Sequence, residues 1–279
     1  MTGLSFEFFP PKGEQGAARL DRTTSRLGTY APNYVSVTYG AGGTTADGTL
    51  EALNGLRARH GIRTAAHLCY SGVSADRTQE YADKLWRAGH RCIVALRGDA
   101  EGCEGQGFEA TAEFVAALRD WHPFEIAVAC YPETHPEAAS PEADLDVLLA
   151  KERAGATHAL SQFFFDAELF FRFVARARAH GVTIPIVPGL LPVYDIERAI
   201  AFGDKCGSPV PQWVRERFLN ASRTGKNETE VAEDLIVEQV RALCEGGVSD
   251  LHLYTLNRAD LSVTAAATFR EFYPLAKAA

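Results

Sequence analysis

The chain has 279 residues, 46% of them hydrophobic and 23% charged, with a formal net charge of −8. This is the balance of a soluble protein with a large core, at a length that suits one barrel domain or two small ones. The acidic excess argues against a nucleic-acid surface, which needs a basic patch, and against anionic membranes, while leaving room for a local basic pocket.

In chain order, strand-type apolar runs are predicted at Leu4–Phe9, Asn33–Tyr39, Arg63–Tyr70, Arg91–Gly98, Phe124–Pro132, His158–Asp166, Ile184–Pro192 and Asp250–Asn257. Most are nearly continuous in apolar residues, as in a parallel sheet covered by helices. Stretches of helical period separate them, among them Gln15–Thr29, Asp47–His60, Ala75–Ala88, Phe108–Asp120, Pro141–Ala154 and Ala167–His180. Several end in a glycine before the next strand: Gly61, Gly89, Gly155, Gly181 and the Gly246-Gly247 pair. A glycine there accepts the left-handed conformation that closes a helix.

Eight βα units predict an α/β fold, a single-domain (β/α)8 TIM barrel spanning residues 1–279. A dinucleotide-binding sheet would carry GxGxxG after its first strand; none is there, and Gly40-Ala41-Gly42-Gly43 has the wrong spacing. The least regular segment is Gly207–Lys226, with Pro209, Pro211 and four basic residues. It is read as an irregular excursion or lid between strands seven and eight.

The N-terminus has no basic region followed by an apolar stretch, and no run approaches the roughly 18 apolar residues of a membrane span. None of the six cysteines forms a CxxC motif. Cys69, Cys92 and Cys130 fall in apolar runs and read as buried thiols, which suits a reducing compartment. A cytoplasmic, soluble protein is expected.

In such barrels the strand C-termini form the active site. They offer Glu7, Thr38 and Tyr39, His67, Arg97-Gly98-Asp99, the run Tyr131–Glu137, Gln162 and Asp166, and Tyr254–Arg258. Glu7 sits among Phe6, Phe8 and Phe9, and strand alternation turns it away from Phe6 and Phe8. A carboxyl pointing into a barrel is expected to have a raised pKa and to serve as a general acid. The alternative is a buried ion pair with a barrel Arg or His. Asp99 is placed to stabilise a cation or modulate an electron-poor ring, or else to cap a turn. His67, alone on an apolar strand, is by itself more often a satisfied core histidine. A metal site from His67, Glu133 and His135 would make a non-redox, metal-assisted barrel enzyme the remote alternative.

The motifs SFEFFPPK (Ser5–Lys12), VSVTYGAGG (Val35–Gly43), AAHL (Ala65–Leu68), IVALRGD (Ile93–Asp99), YPETHPEA (Tyr131–Ala138), QFFFD (Gln162–Asp166), PGLLPV (Pro188–Val193) and LYTLNR (Leu253–Arg258) follow one another along the chain. In this order they resemble the methylenetetrahydrofolate reductase family, in its bacterial single-domain form. The resemblance implies a flavoprotein of one-carbon metabolism and methionine biosynthesis. A hydride would pass from NADH or NADPH to bound FAD, and then to 5,10-methylenetetrahydrofolate, with ping-pong kinetics.

The resemblance makes Glu7 the acid that protonates folate N10 and Asp99 the carboxylate that favours the resulting 5-iminium cation. It places Thr38, His67, Arg97, Gly98, Asp99, Tyr131, His135, Asp144 and Lys151 on the flavin, and Gln162, Phe202, Tyr254 and Arg258 on the folate. It also implies a homo-oligomer. The end of the chain at Ala279 leads one to expect no C-terminal regulatory domain of the eukaryotic kind. Ala110, Val147 and Ala150 stand where an enterobacterial member has a Tyr, an Asn and an Arg near FAD. Those departures bring in a second expectation, direct hydride transfer from NADH to the same folate without flavin.

Overall fold

The computed structural model of the protein describes residues 3–39, 46–98 and 107–275. Among these, nine parallel strand segments form one sheet: β1 (Gly3–Phe8), β2 (Tyr34–Val37), β3 (Thr64–Cys69), β4 (Cys92–Leu96), β5 (Glu125–Cys130), β6 (His158–Ser161), β7 (Ile186–Val187), β8 (Gly189–Leu190) and β9 (Asp250–Tyr254). Their order is β7-β6-β5-β4-β3-β2-β1-β9-β8.

Segments β7 and β8 share one barrel position. Pro188, which has no N–H to give a ladder, stands between them. Ile186 and Val187 pair with Ala159 and Leu160 of β6, while Gly189 and Leu190 pair with His252 and Leu253 of β9. The seventh strand thus gives one half to each neighbour and brings the two ends of the sheet together, completing the (β/α)8 TIM barrel.

Ten described α-helices surround it: α1 (Gly13–Gly28), α2 (Ala46–His60), α3 (Ala75–Arg87), α4 (Thr111–Trp121), α5 (Pro141–Arg153), α6 (Ala167–Ala179), α7 (Ile196–Cys206), α8 (Gln212–Leu219), α9 (Glu228–Glu245) and α10 (Asp260–Phe272). Their starts follow local chemistry. Ser74, Ser140, Asp166 and Asp195 each accept a backbone N–H of the first turn, and Asn227 with Glu230 forms a reciprocal capping box. After α2, α3, α5, α6 and α9 the predicted glycines, with Gly247 the one used of its pair, have φ from +64° to +113°.

Leu4, Phe6 and Phe8 of β1 are each 0% exposed and belong to the large core between sheet and helices. A smaller apolar layer from Tyr34, Ala65, Cys92, Val94, Ala127 and Leu160 fills the barrel itself. Cys69, Cys92 and Cys130 are buried, and among the described residues no helix is long and apolar enough to cross a membrane.

The structure corrects several boundaries. The run His158–Asp166 is strand only to Ser161; beyond it Phe163, Phe164 and Phe165 stay buried off the sheet, and Asp166 caps α6. Helix α4 starts at Thr111 rather than Phe108. Apolar content reports burial, and it cannot report where a ladder of hydrogen bonds stops.

The Gly207–Lys226 segment is largely ordered rather than irregular. It holds α8 and a 3-10 turn at Ala221–Thr224. Val210, Val214 and Phe218, spaced four apart, are buried in a second core with Val231 and Leu235 of α9. Pro211 occupies the N-cap of α8, where its missing N–H costs nothing.

Candidate active site

A cavity of about 860 Å³ opens at the C-terminal ends of the strands. Its volume lies in the upper part of the range for sites that bind small ligands and cofactors, roughly 300–1,000 Å³. The strands β1 to β5 and their following turns contribute Glu7, Thr38, His67, Arg97, Gly98, Tyr131 and His135 to its wall. Gln162 after β6, Phe202 of α7 and Tyr254 of β9 complete the other side. Ten predicted site residues therefore meet in one place.

Glu7 is the most constrained of them. Its Oε2 lies 3.2 Å from Nε2 of His67 on β3 and 3.5 Å from Nε2 of His252 on β9. The Glu7 backbone carbonyl accepts from the N–H and the hydroxyl of Thr255. Burial pushes the carboxyl up, but the two imidazoles outweigh it and hold the group down at about 2. The expected raised pKa is thereby overturned, because desolvation was weighed without the two imidazoles. The ion-pair alternative describes the structure, with histidine as the partner.

The opposite wall is aromatic. Phe202 stacks on Phe163 with ring centroids 5.5 Å apart and planes at 13°. The Tyr254 hydroxyl donates to the Ser161 carbonyl at 2.7 Å, which fixes its ring edge-on to Phe163. Gln162 accepts from the Phe163 N–H at 3.1 Å. A flat ring beside Phe202, 41% exposed, would add to a stack that already exists.

On the β2–β5 side several features suit a polar, flat cofactor. The buried Thr38 hydroxyl has no hydrogen-bond partner among the described residues. Gly98 has φ +92°, and a Cβ there would meet Cys69 Cβ at 2.9 Å, so the wall at this point is bare backbone. His135 packs edge-on against Tyr131 at 4.6 Å, and Arg97 grips Glu137 with contacts of 2.5 and 3.0 Å.

Three predicted residues stand away from the cavity wall. Lys151 is buried beneath it, donating to the Ala129 carbonyl at 3.0 Å, and burial pushes its pKa down. Asp144 accepts from the His135 N–H at 3.0 Å and so supports that loop. The exposed Arg258 guanidinium lies 3.7 Å over the Tyr194 ring. Asp99 falls outside the described residues. The proposed metal triad is not assembled: His67 pairs with Glu7, Glu133 hydrogen-bonds Ser208, and no three metal-ligating groups cluster among the described residues.

Sequence reading missed His252, Phe163 and Lys205. Both aromatic Phe163 and cationic Lys205 line the cavity. His252 shares the strand parity of Tyr254, and that parity was the available signal.

The sequence profile of the methylenetetrahydrofolate reductase family matches residues 1–268. The 5,10-methylenetetrahydrofolate reductase of Salmonella typhimurium is 38% identical over 259 residues, 93% of this chain and 88% of that protein. A probable methylenetetrahydrofolate reductase (NADH) of Oryza sativa subsp. japonica is 32% identical over 92% of this chain, but only 46% of its own length. Among solved structures, an uncharacterised Clostridium thermocellum protein that binds two copies of 5-methyl-5,6,7,8-tetrahydrofolic acid shares the fold, with a TM-score of 0.68 at 13% identity over 98% of this chain and 95% of that one. The chain belongs to the methylenetetrahydrofolate reductase family, a family of oxidoreductase enzymes.

Proposed function

We propose that the protein reduces 5,10-methylenetetrahydrofolate to 5-methyltetrahydrofolate with NADH or NADPH as reductant and FAD as the carrier. The observation that carries this reading is Glu7. One carboxylate, backed by two imidazoles, faces a cavity large enough for a cofactor ring and a second ring system.

FAD would be held by Thr38, His67, Arg97, Gly98, Tyr131 and His135, with Asp144 and Lys151 supporting from behind. The Thr38 hydroxyl, without a partner among the described residues, and the bare backbone at Gly98 support that assignment. When bound, FAD would take a hydride from the nicotinamide and pass it to the folate. Successive use of one cavity by two substrates gives ping-pong kinetics.

The chain's own residues serve the folate. Glu7 protonates N10 so that the five-membered ring opens to an iminium. Asp99 is assigned to stabilise that cation. Phe202 stacks on the folate, Gln162 and Tyr254 orient it, and Arg258 is assigned to its anionic tail. Ala110 and Ala150 are exposed, as is Val147 at 49%, and none of the three lines the cavity. The small residues at these positions therefore do not open the wall assigned to FAD.

A visible absorbance spectrum of the purified protein, read beside NADH oxidation with the folate as acceptor, tests the proposal. A yellow protein that turns over the folate is expected. A colourless protein that still reduces it would replace the flavin with direct transfer from NADH. A protein that oxidises no reduced nicotinamide with the folate present overturns the reaction.

A further inference from the structure

Below Glu7, the barrel interior holds a line of hydrogen-bonding groups drawn from four strands. The Tyr34 hydroxyl on β2 lies 3.3 Å from Nε2 of His158 on β6, across the barrel. Nδ1 of His158 lies 3.1 Å from the Thr157 hydroxyl. Tyr34 also hydrogen-bonds Ser5 of β1, and Ser5 Oγ lies 2.8 Å from Nδ1 of His252 on β9. The Nε2 of the same imidazole is the atom facing Glu7 at 3.5 Å.

The directions of these bonds follow from counting protons. The Thr157 hydroxyl donates to the Ile126 carbonyl at 2.9 Å and accepts from the Ile126 N–H at 3.1 Å. A hydroxyl has one proton, so toward His158 it can only accept. His158 therefore carries its proton on Nδ1. Burial pushes its pKa down to about 4, against the raising effect of Glu125 and with help from His252 and Arg63, so the ring is neutral and Nε2 is bare. Tyr34 donates to that bare nitrogen. Its oxygen can then only accept from Ser5, so the Ser5 proton is used as well. The other acceptor in reach of Ser5, the Leu251 carbonyl at 3.5 Å, would use the same proton. With its proton given to Tyr34 or to Leu251, Ser5 can only accept from His252, so Nδ1 of His252 carries hydrogen.

With Nδ1 fixed as N–H, Nε2 of His252 can face the Glu7 carboxylate favourably only as a second N–H. Among the described residues, neither His67 nor His252 makes an aligned hydrogen bond through Nε2. Both atoms converge on Oε2 of Glu7. The other groups that bear on His252 are Tyr34 at 6.5 Å between rings, Tyr254 at 5.0 Å on its own strand, and His158.

We propose that His252 is a positioning residue that stores the acid proton of Glu7, and that the Ser5–Tyr34–His158 line locks its imidazole with Nδ1 protonated so that only the Nε2 proton can be given up. The proposal rests on the folate reaction assigned above. It also accounts for how a carboxyl held ionised in the free protein can act as an acid. The Nε2–H bond of His252 breaks as an O–H bond forms on Glu7. That O–H bond breaks as N–H forms at folate N10, which regenerates the carboxylate. A solvent proton restores Nε2 after product leaves. No electrons move in these steps.

The test has two readouts. Imidazole nitrogen NMR of the protein without added substrate is expected to show His252 with hydrogen on both Nδ1 and Nε2. In Tyr34→Phe and in Ser5→Ala the ring is expected to show mixed tautomers. In steady state, the alkaline limb of folate reduction should move down by roughly one pH unit in Tyr34→Phe. That makes it about tenfold slower above the limb and little changed below it. NADH–menadione turnover should be unchanged. His252→Gln, which keeps a donor near Glu7 but cannot release a proton, should flatten the limb.

A wild-type His252 with bare Nδ1 overturns the proposal. So do Tyr34→Phe and Ser5→Ala proteins with wild-type ring shifts and pH profile. If the expected ring state is present but no folate is reduced, the functional assignment and the delivery step fall while the tautomer lock stands.

Discussion

The Nε2 atom of His67 lies 3.2 Å from Oε2 of Glu7, across the intervening strand β2. This contact, with the matching one from His252, sets the charge of Glu7, the group proposed above as the acid of the folate chemistry. Glu7→Gln keeps the shape and removes the proton carrier. Folate reduction is expected to fall by roughly 10²–10⁴-fold, the usual contribution of a general acid. NADH–menadione turnover should stay near the wild-type rate. Equal loss in both assays would remove Glu7 from the folate side.

The same pair makes stability depend on acidity. Glu7 titrates at about 2 in the folded protein against an ordinary 4.5. A carboxyl with a depressed folded value contributes stability above its unfolded pKa and loses it as pH falls through the folded one. The window runs from about pH 4.5 down to about pH 2, and the contribution is about 3 kcal/mol. Urea unfolding at pH 7, 4.5 and 3 should show wild type losing more stability with acid than Glu7→Gln. Parallel curves would contradict the ion pair.

Asn257 joins the first and last strands of the barrel. Its side chain accepts from the Phe9 N–H and donates to the Phe9 carbonyl, both at 2.9 Å. Its φ of +55° is one that asparagine tolerates better than most residues. Asn257→Ala leaves two backbone groups unpaired and strains the turn. A loss of about 2–4 kcal/mol is expected, read as a lower denaturant midpoint with an unchanged slope.

Phe202 tests the aromatic wall. Phe202→Ala removes one face of the stack with Phe163 while leaving Glu7 and the β2–β5 side intact. The KM for the folate should rise by roughly 3–10-fold with kcat less affected, the scale of an aromatic pair. Unchanged folate kinetics would place the substrate elsewhere in the cavity.

Much of this site was legible from the chain. The eight strand runs, the glycine stops and the strand-end polar residues all rest on local periodicity, and Glu7, Thr38, His67, Arg97, Gly98, Tyr131 and Tyr254 do line the cavity. Lys151 and Arg258 do not, because spacing along a chain places a residue near a strand end without saying whether its side chain reaches the mouth. Helix α8 was hidden by its prolines, although Val210, Val214 and Phe218 carried the helical spacing.

By itself the sequence determined the succession of strands and helices, their glycine stops, and the inward parity of Glu7. These depend on interactions among near neighbours in the chain. Only the tertiary structure decided that Pro188 divides the closing strand, that His67 and His252 meet on one oxygen of Glu7, and that Tyr34 reaches His158 across the barrel. Closing a sheet brings together strands far apart in sequence, and a buried group's charge is set by its partners there as much as by its burial.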